Sequence, residues 1–254
     1  MKILAVGDVV GSTAVEYLEK RLRRFAAENG VDAIIVNGEN ASNGNGLSKN
    51  DAERLLNIGA DVVTTGNHVW QKSDIRAFLD ETPYVLRPAN YPPAAPGAGS
   101  TVIDVGLKRL LVVNLMGVSY LEPLESPFDT LDKILRENEG KYDFSVVDFH
   151  AEATGEKGAL ANCFDGRIDA IFGTHTHVQT NDARVLPGGT CFITDVGMTG
   201  SLDSILGVKK ECIIKKLRYH LPVRFEQADT DIRANGVIFT IGEVDNLSAV
   251  AVTF

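Results

Sequence analysis

Short apolar runs that stop abruptly at polar residues, alternating with amphipathic stretches, constrain this chain more than any other feature. Residues 2–7 (KILAVG) are too few for an ordinary helix and mostly aliphatic, so they read as a buried strand ending at Asp8. Thr13 with Glu16 forms a capping-box pattern that opens a helix with Val15, Leu18, Leu22 and Phe25 at helical spacing. Gly30 closes it. Residues 33–37 (AIIVN) repeat the strand signal, a Gly/Asn loop leads to a second helix capped by Ser48, and residues 61–65 (DVVTT) form a third strand. The pattern is βαβαβ.

Further strands are predicted at 101–105, 109–115, 143–149, 168–172 and 190–194, with a helix started by Pro127 between the second and third of these. Residues 207–219 read as helix, and 236–254 as two strands around 244–246. Strands separated by helices require crossovers that place helices on the sheet faces, so the expected class is α/β, a layered sandwich of two mixed β-sheets flanked by helices. The Pro/Gly-rich stretch 88–100 is too short to be more than a loop, and residues 1–254 are expected to form a single domain.

The 25 basic and 34 acidic residues give a net charge of −9, which repels a polyanion and excludes duplex nucleic acid as an expected partner. A small phosphorylated substrate stays compatible, because metal ions held by site carboxylates reverse the local charge. Cys163, Cys191 and Cys212 are odd in number and widely spaced, which suggests neither a disulfide framework nor a structural zinc. With no signal-peptide core before Asp8 and no run of about 18 apolar residues, the expectation is a cytoplasmic protein with no membrane association. A symmetric homo-oligomer is the base-rate expectation.

The polar residues cluster at carboxyl ends of predicted strands: Asp8, then Glu39 and Asn40, then Asn67 and His68, then His150, then His175 and His177. Ligand sites of α/β sheets collect just beyond those ends. Taken singly each has a bland role, an Asp after a strand as a turn residue and a His as a satisfied core group. Their conjunction is the signal. His-x-His at a strand end is expected to aim both imidazoles to one side of the chain. Asp8, Glu39, Asn67, His150, His175 and His177 offer carboxylate, amide and imidazole donors without thiolate, which suits two divalent ions such as Fe, Mn or Zn. Two such ions activate a water and clamp a phosphate ester, with one carboxylate bridging. The loop 42–49 (SNGNGLSK) lacks a phosphate-loop pattern and reads as a flexible rim, and Lys209, Lys210, Lys215 and Lys216 read as a solvated helix face.

In order and spacing, GD at 8, NGEN at 37–40, GNH at 66–68, His150 and GTHTH at 173–177 resemble the motif blocks of the calcineurin-like metallophosphoesterases. The layout is similar to their YmdB-like bacterial branch. Val10 stands where the superfamily usually has a metal-binding His, and Glu39 where it usually has Asp. The resemblance implies that Asn40 substitutes for the missing imidazole and tilts the metals toward Fe or Mn. It implies one ion on Asp8, Glu39, Asn40 and His177 and the other on Glu39, Asn67, His150 and His175. His68 is implied to be the proton donor to the leaving group while a metal-held hydroxide attacks. The implied substrate is a small phosphodiester, a 2',3'-cyclic nucleotide opened to the 3'-nucleotide. Two rivals stand beside it: a phosphomonoesterase or nucleotidase, with Arg87 or Lys72 neutralising the extra charge, and a non-catalytic metal-dependent nucleotide-sensing regulator.

Overall fold

A computed structural model describes residues 1–254. Its elements in chain order are β1 (Lys2–Val6), β2 (Asp8–Val9), α1 (Ser12–Asn29), β3 (Ala33–Asn37), α2 (Lys49–Asn57), β4 (Val62–Thr64), α3 (Ile75–Glu81), β5 (Ser100–Val105) and β6 (Lys108–Met116). There follow α4 (Pro127–Glu137), β7 (Phe144–His150), α5 (Thr154–Cys163), β8 (Ala170–Thr174), β9 (Arg184–Val185), β10 (Cys191–Ile193), β11 (Met198–Ser201), α6 (Lys210–Tyr219), β12 (Ile232–Thr240) and β13 (Ser248–Thr253). The first sheet runs β2-β11-β12-β1-β3-β4 with β13 also on β12, and the second runs β5-β6-β7-β8-β10-β9. β1, β3 and β4 are parallel while β12 opposes β1. β6, β7, β8 and β10 are parallel while β5 opposes β6. Both sheets are mixed, as the sequence predicts.

The continuous apolar runs have a simple cause: the central strands are buried on both faces. On β1, Ile3 and Ala5 pack with Val112, Val146 and Phe172 of the second sheet. Leu4 and Val6 pack instead with Val15, Leu18 and Leu22 of α1. Leu111, Val113 and Phe149 bury their opposite face under α4 and α5 against Leu131 and Leu160. The layers are therefore helix, sheet, sheet, helix, and each fully buried Leu, Ile or Val contributes roughly 1.5–3 kcal/mol.

Local signals set some helix ends and not others. Ser48 caps α2 by accepting from the Asp51 N–H at 3.2 Å, and Ser126 caps α4, whose first turn holds Pro127. Gly30 ends α1 in the left-handed conformation. The capping box predicted from Thr13 and Glu16 does not form: α1 starts at Ser12 behind Gly11, which has φ 83° and provides no side-chain cap. The reason is tertiary. The Gln227 side chain lies where a Cβ on Gly11 would stand, 2.4 Å away, so position 11 is packed against a distant segment rather than used for capping. α6 begins at Lys210 instead of 207, because Gly207 has φ 89°. The strand predicted at 168–172 is displaced to β8. The seven-residue α3, the glycine-containing α5 and the two- to four-residue β2, β9 and β11 carry no clear pattern in the sequence.

Candidate metal centre

Because β1, β3 and β4 are parallel to one another, and so are β7 and β8, their carboxyl ends gather at one rim of the sandwich. Asp8 opens β2, Glu39 and Asn40 follow β3, Asn67 and His68 follow β4, His150 ends β7, and His175 and His177 follow β8. All eight residues singled out in the sequence converge there. Glu39 Oε1 stands 3.3 Å from His150 Nε2 and 3.2 Å from His68 Nδ1. On one side Asn40 Nδ2 is 3.1 Å from Glu39 Oε1 and 3.2 Å from His177 Nε2, which is 3.3 Å from Asp8 Oδ2. On the other, His150 Nε2 is 2.9 Å from Asn67 Oδ1 and 3.0 Å from His175 Nδ1. The side chains fall into two groups that share Glu39.

Each of the three histidines has one ring nitrogen committed elsewhere. His150 Nδ1–H donates to Thr174 Oγ1 at 2.9 Å, and that hydroxyl donates onward to Asp148 Oδ1 at 2.7 Å. His177 Nδ1–H donates to the Leu206 carbonyl at 3.2 Å, and His175 Nε2 lies 3.0 Å from Glu152 Oε2. Such partners fix a tautomer and aim the remaining lone pair. The result is that the lone pair of His150 faces oxygens of Asn67 and Glu39, that of His177 faces an oxygen of Asp8, and that of His175 faces His150 Nε2, acceptor against acceptor. Asp8 Oδ2 is buried with no hydrogen-bond donor. A cation between the groups resolves each of these clashes, so the donor set fits divalent metal ions on the structure's own evidence. Asn40 departs from the expected presentation: its nitrogen faces Glu39 and His177, while its oxygen is 3.0 Å from His68 Nδ1. A ligand role requires the amide turned over, which gives up the contact with His68 and leaves His68 Nδ1–H to Glu39 Oε1 at 3.2 Å.

The electrostatics agree. Burial opposes charge on Glu39, but His150 and His68 beside it hold its carboxyl well below the usual range. Burial likewise opposes charge on His150, yet Glu39 foremost, with Asp8 and Asp148, lifts it to about 9, so without metal a proton does the cation's work. His175 is pushed down to about 4 by burial and by the neighbouring His150. Beneath the centre, burial raises Asp148 to about 6 even though Thr64, Thr174 and Asn37 all donate to it.

The expected strand-like projection of His175 and His177 is corrected by the structure. β8 ends at Thr174, and both histidines have left-handed φ, 100° and 63°. They reach the centre through a turn, which costs on the order of 1–3 kcal/mol per residue and is typical of functional sites. Sequence reading missed Asp148, Thr174, Glu152 and the Leu206 carbonyl. Of these Asp148 left a trace as a charge inside the apolar run of β7, and Thr174 as a member of the GTHTH block with no role assigned to it.

A cleft of about 600 Å³ opens over the centre. It is lined by Glu39, Asn40, His68, His175 and His177, by Asn43, Gly44 and Asn45 of the Gly/Asn loop, and by Leu206, Phe225 and Gln227 from the segments flanking α6. The 42–49 loop is thus a rim, closed by the Ser42 N–H on the Gly46 carbonyl. The lysine cluster borders the cleft without lining it: Lys209 pairs with the lining residue Glu226, Lys210 pairs with Asp203, and Lys216 stands over the ring of Phe225 on the cleft wall.

Two stacked mixed sheets with helices outside, and carboxylate, amide and imidazole donors gathered at their carboxyl rim, define a metallophosphoesterase, a class that works through divalent metal ions. Within it the chain belongs to the YmdB-like protein family, whose model matches residues 4–252. It is 44% identical over 243 residues, 96% of this chain and 92% of the relative, to the 2',3'-cyclic-nucleotide 2'-phosphodiesterase of Bacillus subtilis (strain 168). A solved structure from Thermus thermophilus superimposes with TM-score 0.93 at 38% identity, covering 100% of this chain and 99% of that one. A novel phosphatase from Mycoplasma pneumoniae gives 0.91 at 32%, covering 100% and 93%. No helix is long and apolar enough to cross a membrane.

Proposed function

We propose that this chain, residues 1–254 acting as one domain, is a phosphodiesterase that uses two divalent metal ions to open 2',3'-cyclic nucleotides to 3'-nucleotides. One observation carries the choice of a diester: no Lys or Arg lines the cleft. A monoester dianion needs an added cation to offset its second charge, whereas a diester monoanion is matched by the metal ions alone. Arg87 is 6% exposed and spends its guanidinium on carbonyls of Pro96, Pro88 and Ala89, and Lys72 stands outside the cleft. Neither rescues the monoesterase reading. The volume suits a nucleotide, and the named activity of the Bacillus relative supports the cyclic substrate.

Asp8, Glu39, Asn40 and His177 would hold one ion and Glu39, Asn67, His150 and His175 the other. Mixed oxygen and nitrogen donors without thiolate favour Fe or Mn, with Zn also accommodated. When bound, the ions lower the pKa of a water and neutralise the phosphate oxygens. His68 does the remaining work. Its Nδ1 is held by Glu39 Oε1 while the ring lines the cleft, which leaves Nε2 to donate. As water oxygen bonds to phosphorus and the bond from phosphorus to the 2'-oxygen breaks, protonated His68 Nε2 gives its proton to that oxygen. The three unpaired cysteines fit a reducing cytoplasm.

The test is product analysis with Mn- or Fe-loaded enzyme on 2',3'-cyclic AMP, beside chromogenic mono- and diesters. Formation of 3'-AMP with diester turnover above monoester turnover is expected. Faster monoester hydrolysis overturns the diester choice, 2'-AMP overturns the choice of bond, and binding without turnover returns the reading to a nucleotide sensor.

A further inference from the structure

Behind the turn that presents His175 and His177 lies an ion pair, Lys157 Nζ to Asp195 Oδ2 at 2.6 Å, with both side chains 1% exposed. Lys157 descends from α5, its stem so close to Gly173 that a Cβ there would meet its Cδ at 2.8 Å and its Cε at 2.9 Å. Asp195 follows β10 and spends its other bonds on the turn. Its Oδ2 accepts from the Thr176 N–H at 3.2 Å and the Thr176 hydroxyl at 2.8 Å, and its Oδ1 accepts from the Gly197 N–H at 2.8 Å. Thr180 closes the far side, its hydroxyl accepting from the Asp195 N–H at 2.9 Å and its N–H donating to the Asp195 carbonyl at 3.0 Å. Thr176 is the residue between the two left-handed histidines.

A buried ion pair is a poor stability device, because replacing it by apolar groups of similar volume is often neutral or stabilising. Here the charge has a definite use. An ionised acceptor makes hydrogen bonds roughly twice as strong as a neutral one, and two of them fall on the single residue whose flanks are strained. We propose that Lys157 and Asp195 are positioning residues for the metal centre, a buried clamp that holds Thr176 and thereby keeps His175 and His177 in the left-handed conformations that aim their lone pairs at Asp8 and His150. Lys157 keeps Asp195 ionised and in place. Asp195 offsets the turn's strain. Released, the turn relaxes toward ordinary φ and the two imidazoles lose their common target.

This inference rests on the metal reading above, and the test separates the two. Metal-free wild type, Thr176→Val, Thr176→Ser and the double variant Lys157→Met/Asp195→Asn are titrated with Co(II), following its visible absorption band, with the melting curve of each metal-free protein alongside. Outer contacts of this kind are worth about 10–100-fold in metal affinity. Thr176→Val is expected to weaken Co(II) about tenfold and the double variant by up to a hundredfold, with an altered band, while Thr176→Ser keeps the wild-type values. The double variant, with no buried charge left unpaired, melts no lower than wild type, so weakened binding there reports positioning and not unfolding. Variants that bind within twofold of wild type with an unchanged band overturn the clamp, as does a loss of affinity matched by an equal loss in the Ser variant. A wild type that takes up no Co(II) overturns the metal reading and this proposal with it.

Discussion

Gly66 stands where a side chain would have to occupy the centre itself. A Cβ there would lie 2.3 Å from Glu39 Oε2 and 2.3 Å from both Cδ2 and Nε2 of His150, where ordinary contact begins at 3.4 Å. In Gly66→Ala each neighbour must therefore retreat by about 1 Å. Neither has anywhere to go, since Glu39 is 1% and His150 0% exposed. Gly66 has no left-handed φ, so the substitution acts through this contact and not through the backbone. Displacing reacting groups by about 1 Å costs on the order of a hundredfold in rate, which is about 2.7 kcal/mol of transition-state stabilisation. Overpacking itself costs roughly 1–3 kcal/mol of stability. The assay is kcat/KM on a cyclic nucleotide with metal content by elemental analysis, using Gly155→Ala, whose Cβ meets nothing within 4 Å, as the control. A folded Gly66→Ala protein with full metal content and a rate within threefold of wild type refutes the placement of Glu39 and His150 at the reacting centre.

Four further outcomes are expected. His68→Ala should retain metal and lose about a hundredfold or more in kcat, read by paired metal analysis and steady-state kinetics, and unchanged kcat removes His68 as the acid. Stripping the metal with a chelator removes the cations that bind only the folded state; at metal concentrations a hundredfold above Kd the lost linkage is about 2.7 kcal/mol, a fall in Tm of roughly 5–11 °C by calorimetry. Burial pushes the Cys191 thiol up to about 11, so its thiolate is scarce at pH 8 and rises only as pH approaches that value. Iodoacetamide at pH 8 should modify exposed Cys163 and spare Cys191, as mass mapping would show. Phe225 is 45% exposed on the cleft wall, with Lys216 at 4.6 Å over its ring. Base stacking on such a ring is worth about 1–3 kcal/mol, so Phe225→Ala should raise KM for a cyclic nucleotide but not for a ribose cyclic phosphate without a base.

The strands and the polar residues at their ends were legible without coordinates, because hydrophobic periodicity and chain-terminating turns are local properties. β1, β3 and β7 fall within a residue of the expected runs, and Asp8, Glu39, Asn67, His68 and His150 sit at the ends where they were expected. Ser48 made its expected cap for the same reason, the bond spanning only three residues.

What depended on contacts between distant segments was not legible. The Thr13 box failed because Gln227, far along the chain, packs against Gly11. His175 and His177 carry a left-handed turn that no alternation rule foresees, held by Asp195 and by a lysine from another helix. The order of donors along the chain thus specified which chemistry could be assembled. Only the packed sandwich decided which nitrogen of each histidine faces inward, since Asp148 through Thr174, the Leu206 carbonyl and Glu152 are brought beside the rings by tertiary structure alone.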